Sequence, residues 1–143
     1  MGSTILVVDN DLVTCRLLQR VLTPQGYTVE TAADGPTALL MLAASPPDLL
    51  ITDLMMPGLT GWSVVARARQ QVPMLPTIVM SGIDTGDPRA TTPDADQAAH
   101  TVVLRKPFAL DELRATVARL LAGTQPERGT SIVPRDDEDA AER

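Results

Sequence analysis

The chain contains one cysteine and one histidine, and each scarcity removes a class of chemistry. A lone cysteine cannot close an internal disulfide. Without Cys/His clusters, zinc has no donor set. Neither a GxxxxGK[ST] run nor a GxGxxG run occurs, so P-loops and dinucleotide fingerprints find no support. No apolar stretch of about 18 residues is present to span a bilayer. The first eight residues lack a basic n-region and their apolar run stops at Asp9, so no secretory signal is expected and the cytoplasm is the expected location. Positive charge is also scarce: 12 Lys and Arg stand against 18 Asp and Glu, a formal net charge of −6 with a pI near 4.6. Direct binding to nucleic-acid phosphates, which needs clustered basic side chains, is therefore not expected.

What remains has the composition of a folded domain. The 143 residues are 44% hydrophobic with a mean hydropathy of +0.06, enough for one core of ordinary size. We expect a domain over 1–122 and a disordered tail over 123–143, where the chain turns polar, contains prolines and ends in an acidic cluster. Cys15 lies at helical spacing among Leu12, Leu18, Val21 and Leu22, which reads as core packing.

Strand and helix patterns alternate. Thr4 to Val8 is a β-branched and aliphatic run without polar alternation, as in a strand buried on both faces. Leu12 to Leu22 follows with helical spacing, closed by Pro24 and Gly26. Further strands are expected at Tyr27 to Ala32, Asp48 to Thr52, Thr77 to Met80 and Thr101 to Leu104. Helices are expected from Pro36 through Leu42, over Gly61 to Gln71 and over Leu110 to Leu121. Between Ile83 and His100 a fourth helix belongs to the repeat, but Gly86, Pro88 and Pro93 interrupt it, and a loop with at most a short helix is expected there. Such alternation implies a doubly wound α/β domain with a parallel sheet covered on both faces.

In these sheets ligands bind beyond the carboxyl ends of the strands. Asp9, Asp53, Ser81 and Lys106 each fall at such an end. A carboxylate there can accept a phosphoryl group if a divalent cation and hydrogen-bond donors offset the added charge. Mg²⁺ takes oxygen ligands and keeps several waters, so Asp9 and Asp53 with a carbonyl would suffice. The Ser81 hydroxyl and the Lys106 ammonium could bond the phosphate oxygens. Bland readings compete: Asp11 fits best as a helix N-cap, and Ser81 or Lys106 alone would pass for solvated loop residues. Their joint placement at strand ends favours the chemical reading.

In order along the chain, ILVVDND, TAADGPTAL, PDLLITDLMMPGLTGW, TIVMSG and LRKPF resemble the receiver domain of response regulators in two-component signalling, over about Thr4 to Ala122. The resemblance implies a five-stranded parallel sheet of order 2-1-3-4-5, the flavodoxin-like receiver fold, here with a degenerate fourth helix. It further implies that Asp53 takes a phosphoryl group from a histidine kinase or phosphotransfer protein. Mg²⁺ would be held by Asp9, Asp53 and the Met55 carbonyl, with Ser81 and Lys106 reading the phosphate. A receiver is not an enzyme beyond its own phosphorylation and dephosphorylation, and its output passes through protein contacts, including a homodimer as one option. After Ala122 about twenty polar residues follow, too few for a helix-turn-helix output domain, so we expect a stand-alone receiver acting on an unidentified protein target.

Four positions depart from the family pattern. Asn10 replaces the second of two adjacent acids on a metal-ligating position, which should weaken cation binding. Val103 stands where an aromatic ring often swings on activation, so that readout is absent. Met55 and Ile83 are apolar beside the path of the hydrolytic water, which predicts slow loss of the phosphoryl group. A phosphorylation-independent interaction module is the alternative reading, favoured by Asn10, Val103 and the eroded helix and opposed by Asp53, Ser81 and Lys106. A small phosphatase or phosphotransferase working through an aspartyl phosphate ranks last, because no second acid beside Asp53 would serve as its general acid.

Overall fold

The computed structural model describes residues 2–82 and 100–122. Five strands, β1 (Thr4–Val8), β2 (Thr28–Ala32), β3 (Leu49–Asp53), β4 (Thr77–Ser81) and β5 (Thr101–Arg105), form one parallel sheet of order β2-β1-β3-β4-β5. Four helices are present among the described residues: α1 (Leu12–Leu22), α2 (Gly35–Ala44), α3 (Gly61–Gln71) and α4 (Leu110–Ala122). The strand order and fold class expected from the sequence are those observed. The expected degenerate helix between Ile83 and His100, and the tail from 123 onward, lie outside the described residues.

Alternation along the inner strands sorts side chains to two faces, because successive Cβ atoms point to opposite sides of a sheet. Ile5, Val7, Leu49, Ile51, Ile78 and Met80 pack with Cys15, Leu18 and Leu22 of α1 and Leu113, Val117 and Leu121 of α4. Leu6, Val8, Leu50 and Val79 pack on the other face with Ala38 and Leu42 of α2 and Trp62, Val65 and Ala68 of α3. Each such aliphatic side chain contributes roughly 1.5–3 kcal/mol on burial. Cys15 is buried as its spacing implied. No described helix is long and apolar enough to cross a membrane.

Helix starts are fixed by side-chain caps. Asp11 accepts the Val13 N–H at 3.0 Å, so its capping role is real. Asp34 accepts the Thr37 N–H at 2.7 Å, and these bonds hold its exposed carboxyl below the usual carboxylate range. Thr60 caps α3 through the Ser63 N–H. The strands run slightly further than their apolar patterns: β3 includes Asp53, β4 includes Ser81 and β5 includes Arg105. Parallel pairing carries the ladder one or two residues past the last apolar side chain, onto the polar residues that open the loops.

Candidate functional site

Register alone brings four chain segments to one edge of the sheet. Val8 pairs with Thr52, so the next residues, Asp9 and Asp53, leave neighbouring strands side by side. Asp53 pairs with Met80, which sets Ser81 one step beyond it, and Ser81 pairs with Arg105, which sets Lys106 beyond that. A hydrogen bond from the Lys106 N–H to the Ser81 carbonyl, 2.7 Å, extends the β4–β5 ladder to the lysine itself.

The cleft is acidic and largely withdrawn from water. Asp9 is 1% exposed, Asp53 8% and Ser81 2%. The Lys106 ammonium reaches across both carboxylates, with Nζ 3.2 Å from Asp9 Oδ2 and 3.3 Å from Asp53 Oδ1. The second oxygen of Asp9 accepts the Asp11 N–H at 2.8 Å, which fixes the carboxylate plane. Burial, followed by the repulsion of Asp9, pushes the Asp53 carboxyl above the usual carboxylate range, and Lys106 opposes both. Burial acts to lower the Lys106 ammonium, but the two carboxylates outweigh it and hold the group above its ordinary value. The lysine is therefore charged at any physiological pH.

The loop after Asp53 is held by backbone. Leu54 N–H donates to the Met80 carbonyl at 2.8 Å, and Gly61 N–H donates to the Leu54 carbonyl at 2.7 Å. Gly58 sits at φ +80, where side chains other than none or a small polar one are strained. A Cβ on Gly61 would collide with the Asp53 carbonyl oxygen and lie 2.9 Å from Leu54 Cα, so only glycine lets α3 start this close to β3.

Asp9, Asp53 and Lys106 meet in one cluster, and Ser81 adjoins it through the backbone of Lys106. Asn10 is exposed at the rim and Met55 is half-buried in the loop after Asp53. No group of three or more His, Cys, Asp and Glu suited to a metal is found among the described residues. Two buried carboxylates whose oxygens both contact one ammonium still form a hard, anionic donor pair. Such a pair suits Mg²⁺, which commonly takes one or two carboxylates and completes its shell with water.

Two features carried no sequence signal. Cys15 donates from Sγ to the Asp9 carbonyl at 3.3 Å, and burial with the charge of Asp9 pushes its thiol up. Arg69 of α3 bonds the Leu75 and His100 carbonyls and the Thr77 and Thr101 hydroxyls, tying the amino ends of β4 and β5 together. An arginine in a helix reads as a solvated residue until the fold shows which carbonyls lie beside it.

Comparison with known proteins bears on the family and the fold. The model of the response regulator receiver domain matches residues 5–118. Response regulator MprA of Mycobacterium tuberculosis (strain ATCC 25618 / H37Rv) is 42% identical over 127 residues, covering 89% of this chain and 54% of that protein. Response regulator MprA of Mycobacterium avium (strain 104) is 42% identical over 123 residues, covering 86% and 53%. The chain thus spans about half the length of the curated relatives it matches. Among solved structures, chemotaxis protein CheY4 of Vibrio cholerae superposes with a TM-score of 0.74 at 29% identity, covering 84% of this chain and 99% of that one. A Francisella response regulator receiver domain gives 0.75 at 27% identity, covering 87% and 100%.

Proposed function

This chain belongs to the response regulator receiver family of two-component systems, and from that membership we propose that Asp53 is its phosphoacceptor. The observation that carries the reading is the Lys106 ammonium bridging Asp9 and Asp53 in a buried cleft at the carboxyl edge of the sheet. A carboxylate held there can attack a phosphorus atom that reaches the cleft mouth. An Asp53 oxygen forms the new O–P bond while the P–N bond to the imidazole of a partner's phosphohistidine breaks, and the imidazole nitrogen leaves with the electron pair. Burial favours this step: a carboxylate short of water loses little solvation when it becomes an acyl phosphate.

Asp9, Asp53, the Asn10 amide and the Met55 carbonyl are the oxygens that would hold Mg²⁺. When bound, the cation supplies positive charge against the phosphoryl oxygens. Lys106 and the Ser81 hydroxyl pair with those oxygens after transfer, as charge-assisted contacts. Phosphorylation adds a charge of about −1.5 to −2, which draws the loops bearing Ser81 and Lys106 inward and shifts an existing equilibrium between two conformations. The donor is a histidine kinase or phosphotransfer protein in the cytoplasm, and the altered surface is read by a protein target.

Incubating the chain with acetyl phosphate and Mg²⁺ and measuring intact mass tests this. One added phosphoryl group, absent from Asp53→Ala, is the expected result. An unmodified mass under conditions that phosphorylate another receiver would overturn it and leave a phosphorylation-independent interaction module.

A further inference from the structure

The outward face of α1 joins exposed apolar and basic side chains. Val13 is 74% exposed and Leu17 43%, and Arg16 and Arg20 are exposed between them. Positions 13, 16, 17 and 20 follow helical spacing and form one stripe opposite the buried Cys15, Leu18 and Leu22. Neither arginine makes an ion pair among the described residues. Leu12, also exposed, adjoins the stripe at the start of α1, whereas Leu40 on α2, Met74 before β4 and Val103 on β5 are exposed on separate elements. The stripe is flanked by two shallow cavities. One, of about 510 Å³, is lined by Arg16, Gln19, Arg20, Thr23 and Pro24. The other, of about 440 Å³, lies between Leu17, Lys106, Phe108 and Leu110.

The sequence carries a segment of matching chemistry. Ile132 and Val133 form a short apolar pair, and Asp136, Asp137, Glu138 and Asp139 form an acidic run three residues later. α1 and α4 cover the same face of the parallel sheet and each returns against the strand direction, so Ala122 ends α4 at the end of the sheet where α1 bears Arg20 and Thr23. Ile132 lies ten residues after Ala122, a reach of about 33 Å, against a length of about 16 Å for the eleven residues of α1. The segment can therefore reach every point of the stripe.

We propose that the segment 131–139 docks on this face of α1 in the same molecule, with Ile132 and Val133 against Val13 and Leu17 and the acidic run against Arg16 and Arg20. A tether of this length gives an effective concentration on the order of millimolar, so a weak contact suffices for occupancy. A second copy of the chain is the poorer occupant, because two molecules each of net charge −6 repel as they approach.

A nitroxide at residue 131, introduced as Ser131→Cys in the full chain, tests the contact by paramagnetic broadening of amide resonances. Cys15 is buried, and the unsubstituted chain carried through the same labelling is the blank. At low salt, selective broadening at Val13, Leu17 and Arg20 is expected. It should be lost in Arg16→Glu/Arg20→Glu and recovered when Asp136→Lys/Asp137→Lys is added. No selective broadening, or broadening unchanged by the charge reversal, overturns the proposal. So does broadening of an isotope-labelled chain by separate nitroxide-bearing molecules, which would assign the face to a second copy. The measurement needs no phosphodonor, so its outcome is separate from whether Asp53 accepts phosphate.

Discussion

Replacing Lys106 by methionine should convert a compensated cleft into a repulsive one, with a pH signature that isolates Asp53. Because one nitrogen contacts both carboxylates, Asp9 Oδ2 and Asp53 Oδ1 lie within about 6.5 Å of each other. At an effective dielectric near 20, two unit charges at about that separation repel by about 2.5 kcal/mol, and each lysine contact offsets roughly twice as much. Removing one member of a buried ionic cluster commonly costs 3–5 kcal/mol, and the partial exposure of the lysine, 30%, places the expected loss near the lower figure, about 3 kcal/mol at pH 7. The folded-state pKa of Asp53 is already raised, so its contribution to stability is fully present below the unfolded carboxylate pKa and is lost as pH rises through the folded value. Without Lys106 that folded value rises further. The deficit of Lys106→Met should therefore shrink as pH falls from 7 towards 5, while Asp53→Asn alone should raise stability at pH 7. In the Asp53→Asn background, Lys106→Met should cost markedly less. Urea unfolding followed by fluorescence of the single, buried Trp62 measures all four chains. A Lys106→Met deficit that stays constant between pH 5 and 7, or an Asp53→Asn chain less stable than the parent, would refute the electrostatic account.

Three further outcomes follow from the geometry. Asn10→Asp restores an acid at the rim of the cleft and should tighten Mg²⁺ binding about tenfold in titrations followed by Trp62 fluorescence; equal affinity would remove the role given to Asn10. Met55→Asn places a hydrogen-bonding side chain after Asp53 and should speed loss of the phosphoryl group several-fold, read by intact mass against time; an unchanged half-life counts against the apolar-barrier argument. Gly61→Ala sets a Cβ against the backbone of Asp53 and Leu54 and should destabilise by about 2 kcal/mol or more, whereas Gly35→Ala meets only the Leu59 side chain and should be largely rescued by Leu59→Ala. Equal, unrescued losses at both glycines would contradict the distinction between rigid and movable neighbours.

The parts of this molecule legible in the sequence are those where one local rule suffices. The inner strands β1, β3 and β4 are unbroken apolar runs because both their faces are covered, and Asp11, Pro36 and Gly26 punctuate the helices through capping and backbone preferences that act within a few residues. Asp9, Asp53, Ser81 and Lys106 could be named because strand ends are where an α/β sheet presents polar groups. What the sequence could not supply was their mutual geometry, since the bridge from Lys106 to Asp9 joins residues 97 positions apart and depends on the β4–β5 register. The same holds for Gly61, which reads as a helix start rather than a point of backbone contact. Arg69 is similar, because it bonds groups whose proximity only the folded sheet creates.

The charge arrangement also bears on how this cleft could act as a switch. In the unmodified protein a single ammonium is shared between two buried anions, so neither carboxylate is fully compensated and Asp53 resists ionisation. A phosphoryl group on Asp53 would move the larger negative charge outward by one P–O bond and make it the stronger claimant on Lys106. Asp9 would then lose part of its partner, and with Asn10 uncharged beside it, little repulsion would oppose that transfer. An acid at position 10 would compete for the same ammonium. On the proposed phosphoacceptor reading, the asymmetry of Asp9 and Asn10 would lower the affinity for a cation and, by the same Coulomb terms, free Lys106 to follow the phosphate.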